Sequence, residues 1–177
     1  LAGAGVAVVS GLARGCDQAA HEAALEAGGR CVVVPGSGLA RLGRRQRVLA
    51  ERILEAGGTL LSEQAPEAEA SAGTLLMRNR IVVGLAGVVF VADAGLRGGT
   101  VHAVRDALAC GRRVAVPADG VGFGPGIAAL GRMNEGELVA TLAPLAPLAA
   151  STGWGAQILR ARSTADLVGA VREAPAG

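Results

Sequence analysis

Val8-Val9-Ser10-Gly11-Leu12-Ala13-Arg14-Gly15 runs directly into Cys16-Asp17-Gln18-Ala19-Ala20-His21. A β-branched run breaks into a turn framed by glycines, and the turn opens a segment with helical composition. That order reads as strand, glycine turn, helix. The strand is predicted over Gly5 to Ser10 and the helix from about Cys16 to Ala27, with Gly28-Gly29 as its stop.

Working outward, the same unit recurs. Cys31 to Val34 is a second predicted strand, ending at Pro35-Gly36-Ser37-Gly38. A helix is predicted from about Arg45 to Ala56, closed by Gly57-Gly58, and a short third strand over Thr59 to Ser62. Gln64 to Gly73 is an acidic loop containing Ala and Pro. Leu75 to Leu85 predicts a helix with Arg78 and Asn79 on its exposed side. Val88 to Ala92 is a fourth strand, Gly99 to Cys110 a helix and Arg113 to Val116 a fifth strand. Strands of continuous apolar character suit a parallel sheet covered on both faces. Their alternation with helices over short connections predicts an α/β fold: a Rossmann-like, doubly wound, mainly parallel sheet with helices on both faces. After Pro117 come a glycine-rich loop at Gly120 to Gly126 and a last amphipathic helix over Gln157 to Arg172. The expected organisation is a domain over 1–141, an Ala/Pro/Ser/Thr-rich linker over 142–154 and a helical tail over 155–177.

Composition narrows the chemistry. The chain has 177 residues, 51% of them hydrophobic, which supports one domain with a sizeable core. Its aromatics are Phe90, Phe123 and Trp154, so that core is built from Val, Leu, Ile and Ala. All 17 basic residues are Arg and there is no Tyr, which excludes a P-loop lysine, a Schiff-base lysine and a tyrosine acid or base. Cys16, Cys31 and Cys110 form an odd set without CxxC spacing. They read as reduced thiols in a cytosol rather than as disulfides or zinc ligands. No HExxH or clustered His/Asp/Glu set is present, so no metal is expected. No apolar stretch reaches about 18 residues and the start lacks a basic n-region, so neither a membrane span nor a signal peptide is expected. The sequence opens at Leu1 inside an apolar segment, which reads as a shortened N-terminus.

Three strands end in glycine turns that open helices: Ser10 to Gly15, Pro35 to Gly38, and Arg97-Gly98-Gly99-Thr100 beyond the fourth strand. In a parallel sheet the strand carboxyl ends share one edge, and ligands bind there. Helix starts offer free N–H groups and a positive dipole end to an anion. Arg14 sits in the first turn; Arg41, Arg44, Arg45 and Arg47 follow the second; Arg97 precedes the third; and Arg78 and Arg80 flank Asn79. A guanidinium fork matches phosphate oxygens, so the set reads as a phosphate-binding crevice. The run Arg44 to Arg47 also reads as a solvated helix face, and Arg78-Asn79-Arg80 as packing plus a salt bridge to Asp93 or Glu63. Asp17 and His21 lie four apart on one helix face, as a structural pair; His102 reads as a surface histidine. No complete catalytic constellation is present, so a non-enzyme without cofactor is expected. Gly36 to Arg41 matches only the first half of a dinucleotide fingerprint, with Arg41 at the third glycine position.

These motifs, in this order, resemble the DprA/Smf family of DNA-processing proteins. The matching pieces are Val8 to Gly15, Asp17, Ala20-His21, Gly36-Ser37-Gly38-Leu39, Leu49 to Ile53, Leu60 to Glu63, Arg78-Asn79-Arg80-Ile81, Gly84-Leu85, Asp93-Ala94, Arg97-x-Gly99, Gly111-Arg112 and Val116-Pro117. The resemblance covers about residues 3 to 140. It implies a cytoplasmic, Rossmann-like domain that binds single-stranded DNA, loads a RecA-type recombinase during natural transformation (competence) and pairs into a homodimer. Carried over, Ser10, Gly11, Arg14, Gly36, Ser37 and Gly38 line the phosphate pocket. Arg78, Asn79 and Arg80 contact the strand or shape the pocket, and Gly98, Gly99 and Thr100 close it.

The chain departs from the family pattern at several points. The family's strand with a Gly-x-Arg turn has no counterpart ahead of Leu1. An aromatic expected near Leu75 is Leu, and the proline after it is Leu76. The Tyr-Pro after the second turn is Gly43-Arg44-Arg45, the Ser-Gly-Ser turn is Gly98-Gly99-Thr100, and the last Pro-Gly is Pro117-Ala118. Losing the aromatic removes a stacking platform worth roughly 1–3 kcal/mol per base, which extra arginines offset only electrostatically. Two other classes compete. A nucleotide-binding sensor or phosphoribohydrolase-like enzyme resembles the chain at Gly98-Gly99-Thr100, but Val101-His102-Ala103 stands where that enzyme needs a glutamate. An oligomerising domain would use the apolar segments near Phe90 and Leu138 to Leu148.

Overall fold

The computed structural model describes residues 1–92, 98–117, 132–134, 137 and 157–174. The expected roles of Asp93, Arg97, the 120–126 loop and the 142–154 linker lie outside these residues. The chain divides into two compact units, Leu1–Val82 and Val83–Gly177.

The first unit follows a 3-10 turn, Ala2–Ala4, with β1 (Val8–Ser10), α1 (Cys16–Glu26), β2 (Cys31–Val33), a 3-10 turn at Leu39–Arg41, α2 (Arg44–Glu55), β3 (Thr59–Leu60) and α3 (Ala72–Met77). The strands form a parallel sheet in the order β1-β2-β3, with Val9 opposite Val32 and Val32 opposite Thr59. The glycine stops act as the sequence suggests. Gly28 (φ 67°) and Gly57 (φ 76°) take the left-handed conformation after α1 and α2. Gly29 N–H then reaches back to the Ala24 carbonyl at 2.7 Å, and Gly58 N–H to that of Ile53 at 2.8 Å. The core is Leu12, Ala24, Cys31, Val33, Leu42, Leu49, Ala50 and Ile53, aliphatic as the composition demands.

The second unit contains β4 (Val88–Phe90), α5 (Gly99–Ala109), β5 (Arg113–Pro117), β6 (Ile158–Ala161) and α6 (Thr164–Arg172). These strands are also parallel, in the order β4-β5-β6. Val83, Val91, Val101, Val104, Ala107, Leu108, Val114 and Val116 form its core. Parallel strands, crossover helices and flanking helical layers make the fold Rossmann-like α/β. No helix among the described residues is long and apolar enough to cross a membrane.

Two elements differ from the sequence reading. The single helix expected over Leu75 to Leu85 is two, α3 and α4 (Asn79–Leu85), because Ser71 and Thr74 cap α3 early and Arg78 ends it. Arg78 and Asn79 are not on an exposed side: Arg78 is half-buried and Asn79 is buried. The single helix expected over Gln157 to Arg172 is strand then helix. Ile158 to Ala161 pairs with β5, and Ser163 starts α6 by accepting from Asp166 N–H while the Asp166 carboxylate accepts from Ser163 N–H at 3.0 Å.

Candidate nucleic-acid interface

The carboxyl edge of the first sheet is built around Gly11 and Leu12. Asp17, in the first turn of α1, accepts from Gly11 N–H and Ala13 N–H, both at 3.1 Å. Leu12 is fully buried yet left-handed, with φ 61°. A β-branched or bulky side chain pays roughly 1–2 kcal/mol for that conformation. Two side-chain amides hold it there: Gln18 Nε2 and Gln46 Nε2 donate to the Leu12 carbonyl at 3.3 and 3.0 Å. Gln46 Oε1 in turn accepts from Gly43 N–H at 3.0 Å, at the start of α2. One glutamine thus ties the α2 start to the loop that opens α1. Arg14 lies two residues past that junction, and Arg44 and Arg45 immediately precede Gln46. All three are exposed and make no ion pair among the described residues.

Arg78 reaches the same edge from the turn between α3 and α4. Its Nη1 donates to the Val34 carbonyl at 2.8 Å. A Cβ at Gly11 would overlap this guanidinium, so the glycine is there to admit the arginine. Burial pushes the Arg78 pKa down from its usual value, and the Asp17 carboxylate opposes the shift. It remains a cation.

The second turn is closely packed. Gly36, Ser37 and Gly38 are all buried. A side chain at Gly36 would strike Leu75, and one at Gly38 would overlap the carbonyls of Ala65 and Pro66. Ser62 Oγ donates to the Ser37 carbonyl at 2.8 Å, and Gly38 N–H to that of Ala68 at 2.9 Å. The glycines here admit the chain's own backbone. Arg80 is exposed and paired with Glu63, the partner named in the sequence reading. Gly98 and Gly99 are exposed and Thr100 half-buried at the start of α5, in the second unit.

Thus Ser10, Gly11, Arg14, Gly36, Ser37, Gly38, Arg44, Arg45 and Arg78 share the carboxyl edge of one sheet, with Asn79 and Arg80 next to Arg78 in the chain. The sequence reading missed Gln18, Gln46 and the amide-holding role of Asp17. An Asp in the first turn after a glycine loop was the available signal; nothing marked Gln46. His21 is fully buried, with no hydrogen-bond partner at either ring nitrogen among the described residues. Burial lowers its pKa from the ordinary 6.5. The Asp17 charge opposes this, as does the Ser10 backbone, whose approach falls short of a full hydrogen bond.

The sequence matches the family described as DNA recombination-mediator protein A over residues 1–127. The chain belongs to that family. It is the DprA/Smf family whose motifs the sequence carries. Among curated relatives, protein Smf of Escherichia coli K12 is 44% identical over 115 residues, covering 64% of this chain and 31% of the relative. The DNA processing protein DprA of Streptococcus pneumoniae is 37% identical over 111 residues, covering 62% and 39%. The chain therefore spans about a third of the length of these relatives. The crystal structure of Streptococcus pneumoniae DprA superposes with a TM-score of 0.66 at 27% identity, covering 99% of this chain and 55% of that one. DprA of Helicobacter pylori, described for its unique single-stranded DNA binding mode, shares the fold with a TM-score of 0.63 at 24% identity. That match covers 78% of this chain and 66% of the other.

Proposed function

We propose that this DprA/Smf-family chain is a non-catalytic binder of single-stranded DNA, with Arg14, Arg44, Arg45 and Arg78 taking backbone phosphates. The observation that carries this reading is the set of three exposed arginines, without carboxylate partners among the described residues, on the same sheet edge as the half-buried Arg78. The amides of Gly11 and Ala13 are already held by Asp17. Those two amides are therefore not available to a phosphate, which leaves the contacts beside them to guanidinium side chains. In the wider role we propose, the bound strand is handed to a RecA-type recombinase during DNA uptake, by a homodimer in the cytoplasm. Membership in the family described as DNA recombination-mediator protein A supports the recombination part of that role.

A labelled oligonucleotide titrated at several salt concentrations tests the binding claim. Affinity should fall with a log–log slope of about 0.7 per phosphate neutralised. Arg14→Ala and Arg78→Ala should each weaken binding across all base sequences, because phosphate contacts carry no sequence information. Stabilisation by a mononucleotide but not by oligonucleotides in a thermal-shift series would favour a nucleotide sensor instead.

A further inference from the structure

The segment from Ser62 to Glu69 straps across the second glycine turn. Gly38 N–H donates to the Ala68 carbonyl at 2.9 Å, Ala40 N–H to the Pro66 carbonyl at 3.0 Å, and Ser62 Oγ to the Ser37 carbonyl at 2.8 Å. The strap carries three carboxylates, and all three face arginines. Glu63 pairs with Arg80. Glu67 Oε2 and Glu69 Oε1 lie 3.3 and 3.4 Å from Arg41 Nε, which also donates to the Glu67 carbonyl at 3.0 Å. Arg41 is three residues from Arg44, so paired and open arginines adjoin along the chain.

We propose that the strap carboxylates are built-in competitors for phosphate, which make this edge selective for a phosphodiester chain over a single phosphate. The inference rests on the single-stranded DNA reading of the same edge. Glu67 and Glu69 are about three-quarters exposed and Arg41 about half, at 75, 73 and 48% of side-chain surface. Exposed ion pairs of this kind are weak and exchange partners easily. A lone phosphate reaching Arg41 must still displace two carboxylates that the strap holds at high effective concentration. A strand already gripped at Arg44 and Arg45 presents its next phosphate at high effective concentration too, and so competes on equal terms. Displaced carboxylates take up cations again, so the pairs also flatten the salt dependence of the bound strand.

The test titrates fluorescein-labelled oligo-thymidylate and thymidine monophosphate against the full chain and against Glu67→Gln/Glu69→Gln, at several salt concentrations. The double variant should bind the oligonucleotide about two- to five-fold tighter, the range expected for removing an exposed ion-pair competitor. Its salt slope should steepen by up to about 0.7, one further phosphate. Its preference for oligonucleotide over mononucleotide should shrink. Glu63→Gln, which frees Arg80 at the other end of the strap, should repeat the pattern. Glu22→Gln, on the exposed side of α1, should leave slope and preference unchanged. If the unaltered chain binds the oligonucleotide but the strap variants keep its slope and preference, or if Glu22→Gln shifts them equally, the competition proposal is overturned while the DNA-binding reading stands. If the unaltered chain binds no oligonucleotide, both are overturned.

Discussion

Gly11 and Arg78 are one feature seen from two sides: the missing Cβ is the space the guanidinium occupies. Gly11→Ala forces that cation away from the Val34 carbonyl, and losing a hydrogen bond from a charged donor costs about 1.5–3 kcal/mol. Urea denaturation should show it as a lower midpoint with an unchanged slope. His21 gives a second expectation. Its folded pKa lies below the ordinary 6.5, so just below that pH the unfolded chain holds a proton that the folded chain refuses. Stability rises with pH across this window and is lost as pH falls below about 6.5. Denaturation midpoints over that range should fall for the native chain and stay flatter for His21→Leu. At this scale the sequence was partly legible. Glycine turns and arginines stood out as a pattern, so the site residues could be named. Which groups each glycine admits is set by Arg78, Leu75 and the strap, which approach from distant parts of the chain. Glycine spacing alone does not say which part of the chain approaches each turn.

Among elements, those framed by local signals were readable. β1, α1, β2 and α2 carry β-branched runs, helical period and left-handed glycine stops within a few residues. The C-terminal segment misled because Gln157 to Arg172 has helical composition throughout, while Ile158 to Ala161 gains a tertiary partner in β5. The Ser163–Asp166 box marks the true helix start. Ser163→Ala should therefore cost about 1 kcal/mol, read as a lower thermal midpoint. α3 and α4 show the same lesson: an apolar run suggests one helix, yet the Ser71 cap and the turn at Arg78 divide it. That division is what carries the Arg78 side chain toward Val34 instead of into solvent.

For the whole molecule, the net charge of +2 says little, since acids and arginines nearly cancel. Their arrangement says more. In the first unit, Arg41 and Arg80 are neutralised by the strap, while Arg14, Arg44 and Arg45 have no carboxylate partner among the described residues. Such a distribution suits a polyanion that reaches several cations at once. The most direct check is the salt dependence of oligo-thymidylate binding by the native chain and by Arg14→Ala/Arg44→Ala/Arg45→Ala, with folding verified by circular dichroism. The account predicts that the triple variant binds more weakly, with a log–log salt slope shallower by about 2, three phosphates at roughly 0.7 each. Binding by the native chain that ignores salt, or a triple variant with an unaltered slope, would contradict it.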